Sequence, residues 1–200
     1  PVGDLEARYL TNENAQGVAL LCHPNPAQGG TMLNKVISTM QRTARDQGLA
    51  TLRFNYRGTG NSAGVHDMES GEVDDAEAML DWLRQQHPDV PIYLFGFSFG
   101  GFVAASLTGR LQQRGVSVEH LCMAAPSVTR LYTPFVPNAG GQVTIIQPEE
   151  DEIVEPEVVY QWAQELGLNY RLFRVPHCGH FFHGKLVELK QIILQHVFAV

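Results

Sequence analysis

Residues Gly96-Phe97-Ser98-Phe99-Gly100 decide the fold, because they form a G-x-S-x-G motif between a predicted strand and a predicted helix. The run from Pro91 to Phe97 is nearly all apolar, which is typical of a central parallel strand buried on both faces. A strand that turns abruptly into a helix strains the serine backbone and leaves no space for a Cβ atom two residues before or after it. Glycines at both places predict a nucleophile elbow with Ser98 at its apex. A phosphate-binding turn is the alternative, although no lysine follows as a P-loop requires.

On either side of this motif, short β-rich runs alternate with longer segments of helical apolar spacing. The sequence therefore predicts an α/β fold, with a mostly parallel sheet of about seven strands and helices on both faces. The first two strands are expected to pair antiparallel. The predicted strands are 4–10, 17–22, 49–55, 91–97, 119–124, 142–147 and 170–175, and the predicted helices are 31–47, capped by Thr31, 70–86, 99–114, 156–166 and 183–200.

The length and composition favour one globular domain over residues 1–200, with 44% hydrophobic and 18% charged residues. A net charge of -7 disfavours nucleic acid and anionic membranes as partners. No apolar run approaches the roughly 18 residues of a membrane span, and the first residues lack signal-peptide features. The three cysteines form no CxxC pair or even-numbered framework. These features predict a cytoplasmic protein with reduced thiols. The sequence leaves the oligomeric state open between a monomer and a homodimer.

A serine hydroxyl needs a base within hydrogen-bond reach and a group that orients that base. Two later strands end in suitable residues. Residues 148–154, after the strand 142–147, contain four carboxylates, and residues 176–183, after the strand 170–175, contain three histidines. Both segments are expected at the carboxyl edge of the sheet, where α/β proteins build their sites.

The chain resembles the α/β-hydrolases over nearly all of its length, and the resemblance implies that fold without a lid domain. The order of nucleophile, acid and histidine in that family corresponds to Ser98, Asp151 and His180. The stretch His23 to Met32 is similar to small bacterial members near the dienelactone-hydrolase-like and lidless esterase branches. Dienelactone hydrolases carry cysteine as nucleophile, so Ser98 argues against their lactone activity.

Other residues compete for these roles. Glu149, Glu150 and Glu152 are alternatives to Asp151, although we expect them to be solvated. His177 is expected to be a loop residue and His183 to begin a helix. His177, Cys178, His180 and His183 could also be interpreted as metal ligands, but there is no second paired Cys/His element, so we predict no metal.

The oxyanion formed on attack needs two backbone N–H donors. One is expected from Phe99, the residue after the nucleophile, and the other from the loop after an early strand. Proline has no N–H, so within His23-Pro24-Asn25-Pro26 the natural donor is Asn25, a position that also matches the family. Ala27 is the second choice, and Asn25 as a simple turn residue stays open.

These residues predict a serine hydrolase, of carboxylesterase or thioesterase type, that needs no cofactor and cleaves small ester substrates through an acyl-enzyme. The loop 126–140 is too short for a helical lid, so the pocket should be open. Five phenylalanines are candidate apolar walls, or ordinary core: Phe97, Phe99, Phe135, Phe181 and Phe182. The alternatives are a noncatalytic binding module on the same fold, or a lactonase or peptidase.

Overall fold

A computed structural model describes residues 2–130, 134, 142–167 and 169–198. Seven strands form one sheet: β1 (Ala7–Leu10), β2 (Val18–Cys22), β3 (Ala50–Phe54), β4 (Ile92–Phe97), β5 (His120–Ala124), β6 (Gln142–Pro148) and β7 (Tyr170–Val175). The helices are α1 (Lys35–Asp46), α2 (Gly71–Gln86), α3 (Phe99–Gln113), α4 (Pro156–Glu165) and α5 (Leu186–Ile193). A short 3-10 helix (Pro26–Gln28) follows β2, and a π-helical turn (Leu194–Phe198) continues α5.

The strand order is β1-β3-β2-β4-β5-β6-β7, and all neighbours are parallel except β1 and β3. The prediction of a mostly parallel seven-stranded sheet is confirmed. The predicted antiparallel pairing of the first two strands is wrong: β2 bonds to β3 on one side and to β4 on the other, so it has no free edge for β1.

Helices cover both faces of the sheet, as predicted. Buried residues of α2, α3 and α4 pack on one face, and those of α1 and α5 pack on the other. Leu189 and Ile193 of α5 are fully buried against the same face as α1, so they belong to the core. Only residues 125–141 separate β5 from β6, which leaves no room for a lid domain. Residues 131–133 and 135–141 of this segment, including Phe135, lie outside the described residues.

Two predicted helix ends are wrong. Helix α1 begins at Lys35 rather than after Thr31, because the Asn34 side chain accepts from the Val36 and Ile37 amides. The Thr31 hydroxyl accepts instead from Leu33 N, in a turn before the helix. The last helix begins at Leu186 rather than His183, since Gly184 adopts a positive φ of 70°.

The strand register brings the ends of distant segments together. Cys22 pairs with Gly96, so the loop after β2 leaves the sheet beside the β4 to α3 turn. Pro148 pairs with Val175, so the loops after β6 and β7 leave side by side. All four loops therefore meet at the carboxyl edge of the parallel strands. In the described part of the chain, no helix is long and apolar enough to cross a membrane.

Candidate active site

Ser98 occupies the sharp turn between β4 and α3, with φ 55° and ψ -118°. A Cβ atom on Gly96 would lie 2.1 Å from the Gly100 carbonyl oxygen, and one on Gly100 would lie 1.9 Å from that of Cys22. Real side chains do not tolerate such distances to backbone atoms, so both positions require glycine. The steric prediction made from the motif is confirmed at both glycines.

His180 and Asp151 form a buried hydrogen-bonded pair. Nδ1 of His180 lies 2.9 Å from both carboxylate oxygens of Asp151, and the two side chains are 2% and 0% exposed. The amides of Ile153 and Val154 donate to Oδ1 of Asp151 at 2.9 and 2.7 Å, while Gln147 Nε2 donates to Oδ2 at 3.1 Å.

This donor set decides the charge of Asp151. Burial raises the pKa of the carboxyl group, but the hydrogen bonds from His180 and from the two backbone amides lower it by more, so the net pKa lies below its ordinary value. Asp151 is therefore ionised at neutral pH. An ionised acceptor at Nδ1 keeps the proton of the imidazole on that nitrogen and leaves Nε2 as the basic atom.

The competing histidines and carboxylates lie elsewhere. His177 is 87% exposed in its side chain, and its Nδ1 lies 3.1 Å from the exposed carboxylate of Glu150. His183 is exposed as well. Glu149 directly follows β6, and its amide donates to the carbonyl oxygen of Val175, the last residue of β7, at 3.0 Å.

Glu152 differs from the expectation of a simply solvated carboxylate. The residue is exposed, yet its Oε2 accepts the backbone N–H of His180 at 3.1 Å. Asp151 thus holds the imidazole ring, and Glu152 holds the main chain of the same residue. Sequence reasoning missed this role, and it also missed the contact of Gln147 with Asp151. A glutamine that directly follows Ile145 and Ile146 at the end of a predicted strand was the available signal for Gln147.

Ser98 and His180 line one small cavity of about 100 Å³. Its other lining residues come from the segment between β2 and α1 and from the loops after β6 and β7: Pro24, Asn25, Gln28, Gly29, Gly30, Asn34, Ile153 and Phe181. Among the described residues, no hydrogen bond joins the Ser98 hydroxyl to His180, although both residues line this cavity. Catalytic hydrogen bonds are often long before substrate binds.

Aromatic rings surround the imidazole of His180. The ring centroids of Phe97 and Phe181 lie 5.0 and 5.1 Å from that of His180. Of the four described candidate wall phenylalanines, Phe181 lines the cavity and is 43% exposed. Phe97, Phe99 and Phe182 are buried in the core.

Asn25 caps the 3-10 helix after β2, and its side chain and carbonyl have different partners. Its side-chain oxygen accepts from Ala27 N at 2.9 Å, and its carbonyl accepts from the amides of Gln28 and Gly30. The amide of Ala27 is therefore occupied, which disfavours it as an oxyanion donor. In the loop hydrogen bonds of the described residues, the Asn25 N–H donates to no acceptor. Phe99 begins α3, where the first amides of a helix have no intrahelical partner.

The sheet topology, the elbow at Ser98 and the buried Asp151–His180 pair define an α/β serine hydrolase. A family model described as serine aminopeptidase, S33, matches residues 35–141, and the chain belongs to this hydrolase family.

Solved structures agree with this assignment. An alpha-beta serine hydrolase homologue from Coxiella burnetii is 32% identical with a TM-score of 0.89, and the match covers 100% of this chain and 94% of that one. A serine hydrolase described as without lid, from Xanthomonas campestris, is 36% identical with a TM-score of 0.85, covering 98% and 88% of the two chains.

A relative whose name includes a substrate matches a smaller part of the chain. The lysophosphatidylserine lipase ABHD12 of Xenopus tropicalis is 34% identical over 127 residues, which make up 62% of this chain. The match spans only 31% of the length of that lipase.

Proposed function

We propose that this protein is a serine hydrolase of the carboxylesterase or thioesterase type, which cleaves small, accessible acyl esters through an acyl-enzyme on Ser98. The observation that carries the proposal is the buried Asp151–His180 pair, whose imidazole lines the same cavity as Ser98. A hydroxyl and a base at one cavity, with a buried acid bonded to the base, are the groups that serine acyl transfer requires.

In the proposed reaction, His180 Nε2 takes the hydroxyl proton while Ser98 Oγ attacks the substrate carbonyl carbon. Asp151 stabilises the imidazolium, and the amides of Asn25 and Phe99 bind the oxyanion. The intermediate collapses, the ester bond breaks, and His180 gives its proton to the leaving alcohol or thiol. A water activated by His180 then attacks the acyl-enzyme, releases the acid and restores the Ser98 hydroxyl.

The size of the cavity supports a small substrate. Pockets that enclose drug-sized ligands measure about 300 to 1,000 Å³. The cavity beside Ser98 measures about 100 Å³, so a short acyl group fills it. The exposed side chain of Phe181 at its wall offers an apolar contact to whatever part of the substrate remains outside.

Labelling with a fluorophosphonate tests the proposal directly. The wild-type protein should gain the mass of one phosphonyl group, and peptide mapping should place it on Ser98. The Ser98→Ala variant should not react, whereas Ser106→Ala, which removes a buried hydroxyl from the helix that follows Ser98, should react like the wild type. An unreactive wild-type protein that is correctly folded would support a noncatalytic binding module instead.

A peptidase is the second candidate, because the matching family model is described as a serine aminopeptidase. The likeness to a lysophosphatidylserine lipase favours esters. A panel of short p-nitrophenyl esters, thioesters, lactones and aminoacyl p-nitroanilides separates these activities. We expect kcat/KM for the acetate or butyrate ester to exceed that for any aminoacyl amide, and the opposite order would favour the peptidase.

A further inference from the structure

A histidine outside the proposed catalytic residues lies at the start of the loop that carries Asn25. His23 directly follows β2 and is fully buried. The backbone N–H of Tyr56 lies 3.2 Å from its Nε2, and the Pro24 carbonyl oxygen lies 2.7 Å from its Nδ1. Because a backbone N–H can only donate, Nε2 must be the acceptor. The network therefore assigns the ring proton to Nδ1, which donates it to Pro24 O.

The surroundings of His23 keep this arrangement fixed. Burial lowers the pKa of His23 to about 3, so the ring stays neutral and Nε2 stays an acceptor at neutral pH. The Tyr56 ring lies 4.0 Å from the imidazole between centroids, and its hydroxyl donates to the His23 carbonyl oxygen at 3.1 Å. The same Tyr56 ring packs edge-on against Phe99, at 5.7 Å. One aromatic pair thus contacts both segments that supply the proposed oxyanion donors.

The geometry of the peptide unit links His23 to Asn25. The carbonyl of Pro24 and the N–H of Asn25 belong to one planar peptide, which is trans like the other described peptides. In a trans peptide the C=O and N–H point in opposite directions, so a bond that fixes one fixes the other. A hydrogen bond to the carbonyl also polarises the peptide and strengthens the N–H as a donor.

We infer that His23 is a positioning residue for the oxyanion hole, which aims the Asn25 N–H into the Ser98 cavity by holding the Pro24 carbonyl. The inference rests on the proposed function, since it needs Asn25 to act as an oxyanion donor. His23 touches neither the substrate nor the reacting atoms. Its effect passes through the orientation of one peptide bond.

Two amide variants test this role, because each retains a different half of the contacts of the ring. Asparagine places an amide N–H where Nδ1 lies, and so retains the donor to Pro24 O. Glutamine reaches the place of Nε2, and so retains the acceptor for Tyr56 N. Both variants lose one buried hydrogen bond and should lose similar thermal stability.

For His23→Gln we expect kcat on an activated ester to fall about 10- to 100-fold with KM nearly unchanged, because a complete oxyanion donor contributes about 10²- to 10³-fold to kcat. The affinity for a boronic acid, which forms a tetrahedral adduct, should fall in parallel. His23→Asn should stay within about fivefold of the wild type in both measurements. Equal activity losses in the two variants, following their melting temperatures, would overturn the inference.

Tyr56→Phe provides a second measurement if either histidine variant does not fold. It keeps the ring against Phe99 and removes only the hydroxyl that donates to His23 O. We expect kcat to fall several-fold without a change in KM, and an unchanged kcat would count against the inference. Failure of the proposed function is distinguishable, since the wild-type protein would then be inert to fluorophosphonate before any variant is compared.

Discussion

The Ser98 cavity has two sides that are built from different kinds of contact. The acid side, formed by the loops with Asp151 and His180, is held by side-chain hydrogen bonds, those between Asp151 and His180 and that of the Glu152 carboxylate. The amide side, formed by the loop 23–30 and the start of α3, presents backbone N–H groups, and the side chains of His23 and Tyr56 hold it from behind.

This difference affects how each side tolerates substitution. On the acid side, the proposed catalytic groups are side chains, so a substitution removes the catalytic group itself. On the amide side, the proposed oxyanion donors are backbone N–H groups, so a substitution acts only by changing the conformation and packing of the main chain. We expect the largest catalytic losses on the acid side and the largest losses of stability on the amide side.

Asp151→Asn should have the greatest effect. The asparagine amide can present an N–H to Nδ1 of His180, which favours the wrong tautomer and removes the stabilising negative charge. By analogy with other serine hydrolases, kcat should fall by about 10⁴-fold. Steady-state hydrolysis of p-nitrophenyl acetate measures it.

Glu150→Gln is the matched control for Asp151→Asn. It changes a carboxylate bonded to a histidine in the same pair of loops, but here both side chains are exposed. Exposed ion pairs contribute little, so kcat should stay within about twofold of the wild type. A large loss here with a small loss in Asp151→Asn would reassign the acid.

Gly100→Ala should give the largest loss of stability. Its new Cβ would lie 1.9 Å from the Cys22 carbonyl oxygen, a backbone atom that cannot move without displacing β2. We expect the free energy of unfolding, measured by urea titration, to fall by about 3 kcal/mol or more.

Gly179→Ala is the corresponding change on the acid side. There the one atom within 3.4 Å of the Cβ would be Glu152 Oε2, at 2.9 Å, which is the end of a flexible side chain, while the nearest backbone atom, Glu150 O, would lie at 3.8 Å. The cost should stay below about 1 kcal/mol. Equal costs for the two glycines would show that the amide side is no more tightly built than the acid side.

The same contrast explains what the sequence could predict. Asp151, His180 and Ser98 are side chains of characteristic chemistry at the ends of predicted strands, and the structure brings Asp151 and His180 together. Their catalytic roles stay predictions. The glycines of the elbow were predictable because the steric requirement is local to five residues. The alternation of strands and helices gave the fold class for the same reason, as each element is encoded by its own periodicity.

The contacts behind the amide side could not be predicted, because they join residues distant in sequence. Nothing near His23 indicates that Tyr56, from the end of another strand, would donate to its Nε2. The predicted pairing of β1 with β2 was wrong for a similar reason. Pairing depends on which strand edge is free, and β3 lies between β1 and β2 in the sheet.

The pH dependence of stability offers a quantitative test of how the amide side is built. Burial lowers the pKa of His23 to about 3, whereas an unfolded histidine ionises near 6.5. Between these values the unfolded chain binds a proton that the folded one does not. The free energy of unfolding should therefore fall with decreasing pH, by up to about 1.4 kcal/mol per pH unit for this group.

Urea titrations between pH 6.5 and 4.5 measure this slope. His23→Asn should reduce the slope by the contribution of about one proton, which is about 1.4 kcal/mol per pH unit. His120→Asn should do nearly the same, because burial also lowers the pKa of His120, to about 4. Asp151 does not interfere in this range: its lowered pKa adds stability that is lost only at more acid pH. An unchanged slope in His23→Asn would mean that His23 is not neutral and buried.

Glu152 should show the smallest effect, because its bond to the His180 amide is only partly buried and the Asp151 pair already holds the ring. We expect Glu152→Ala to lower kcat/KM by about three- to tenfold through a looser backbone at His180. Glu152→Gln retains an oxygen acceptor and should stay within about twofold of the wild type. Glu149→Ala is the control, since Glu149 bonds to the end of β7 through its backbone amide and not through its carboxylate. If the glutamine variant loses as much as the alanine variant, the charge of Glu152 acts on the imidazolium, and its hydrogen bond to the main chain is secondary.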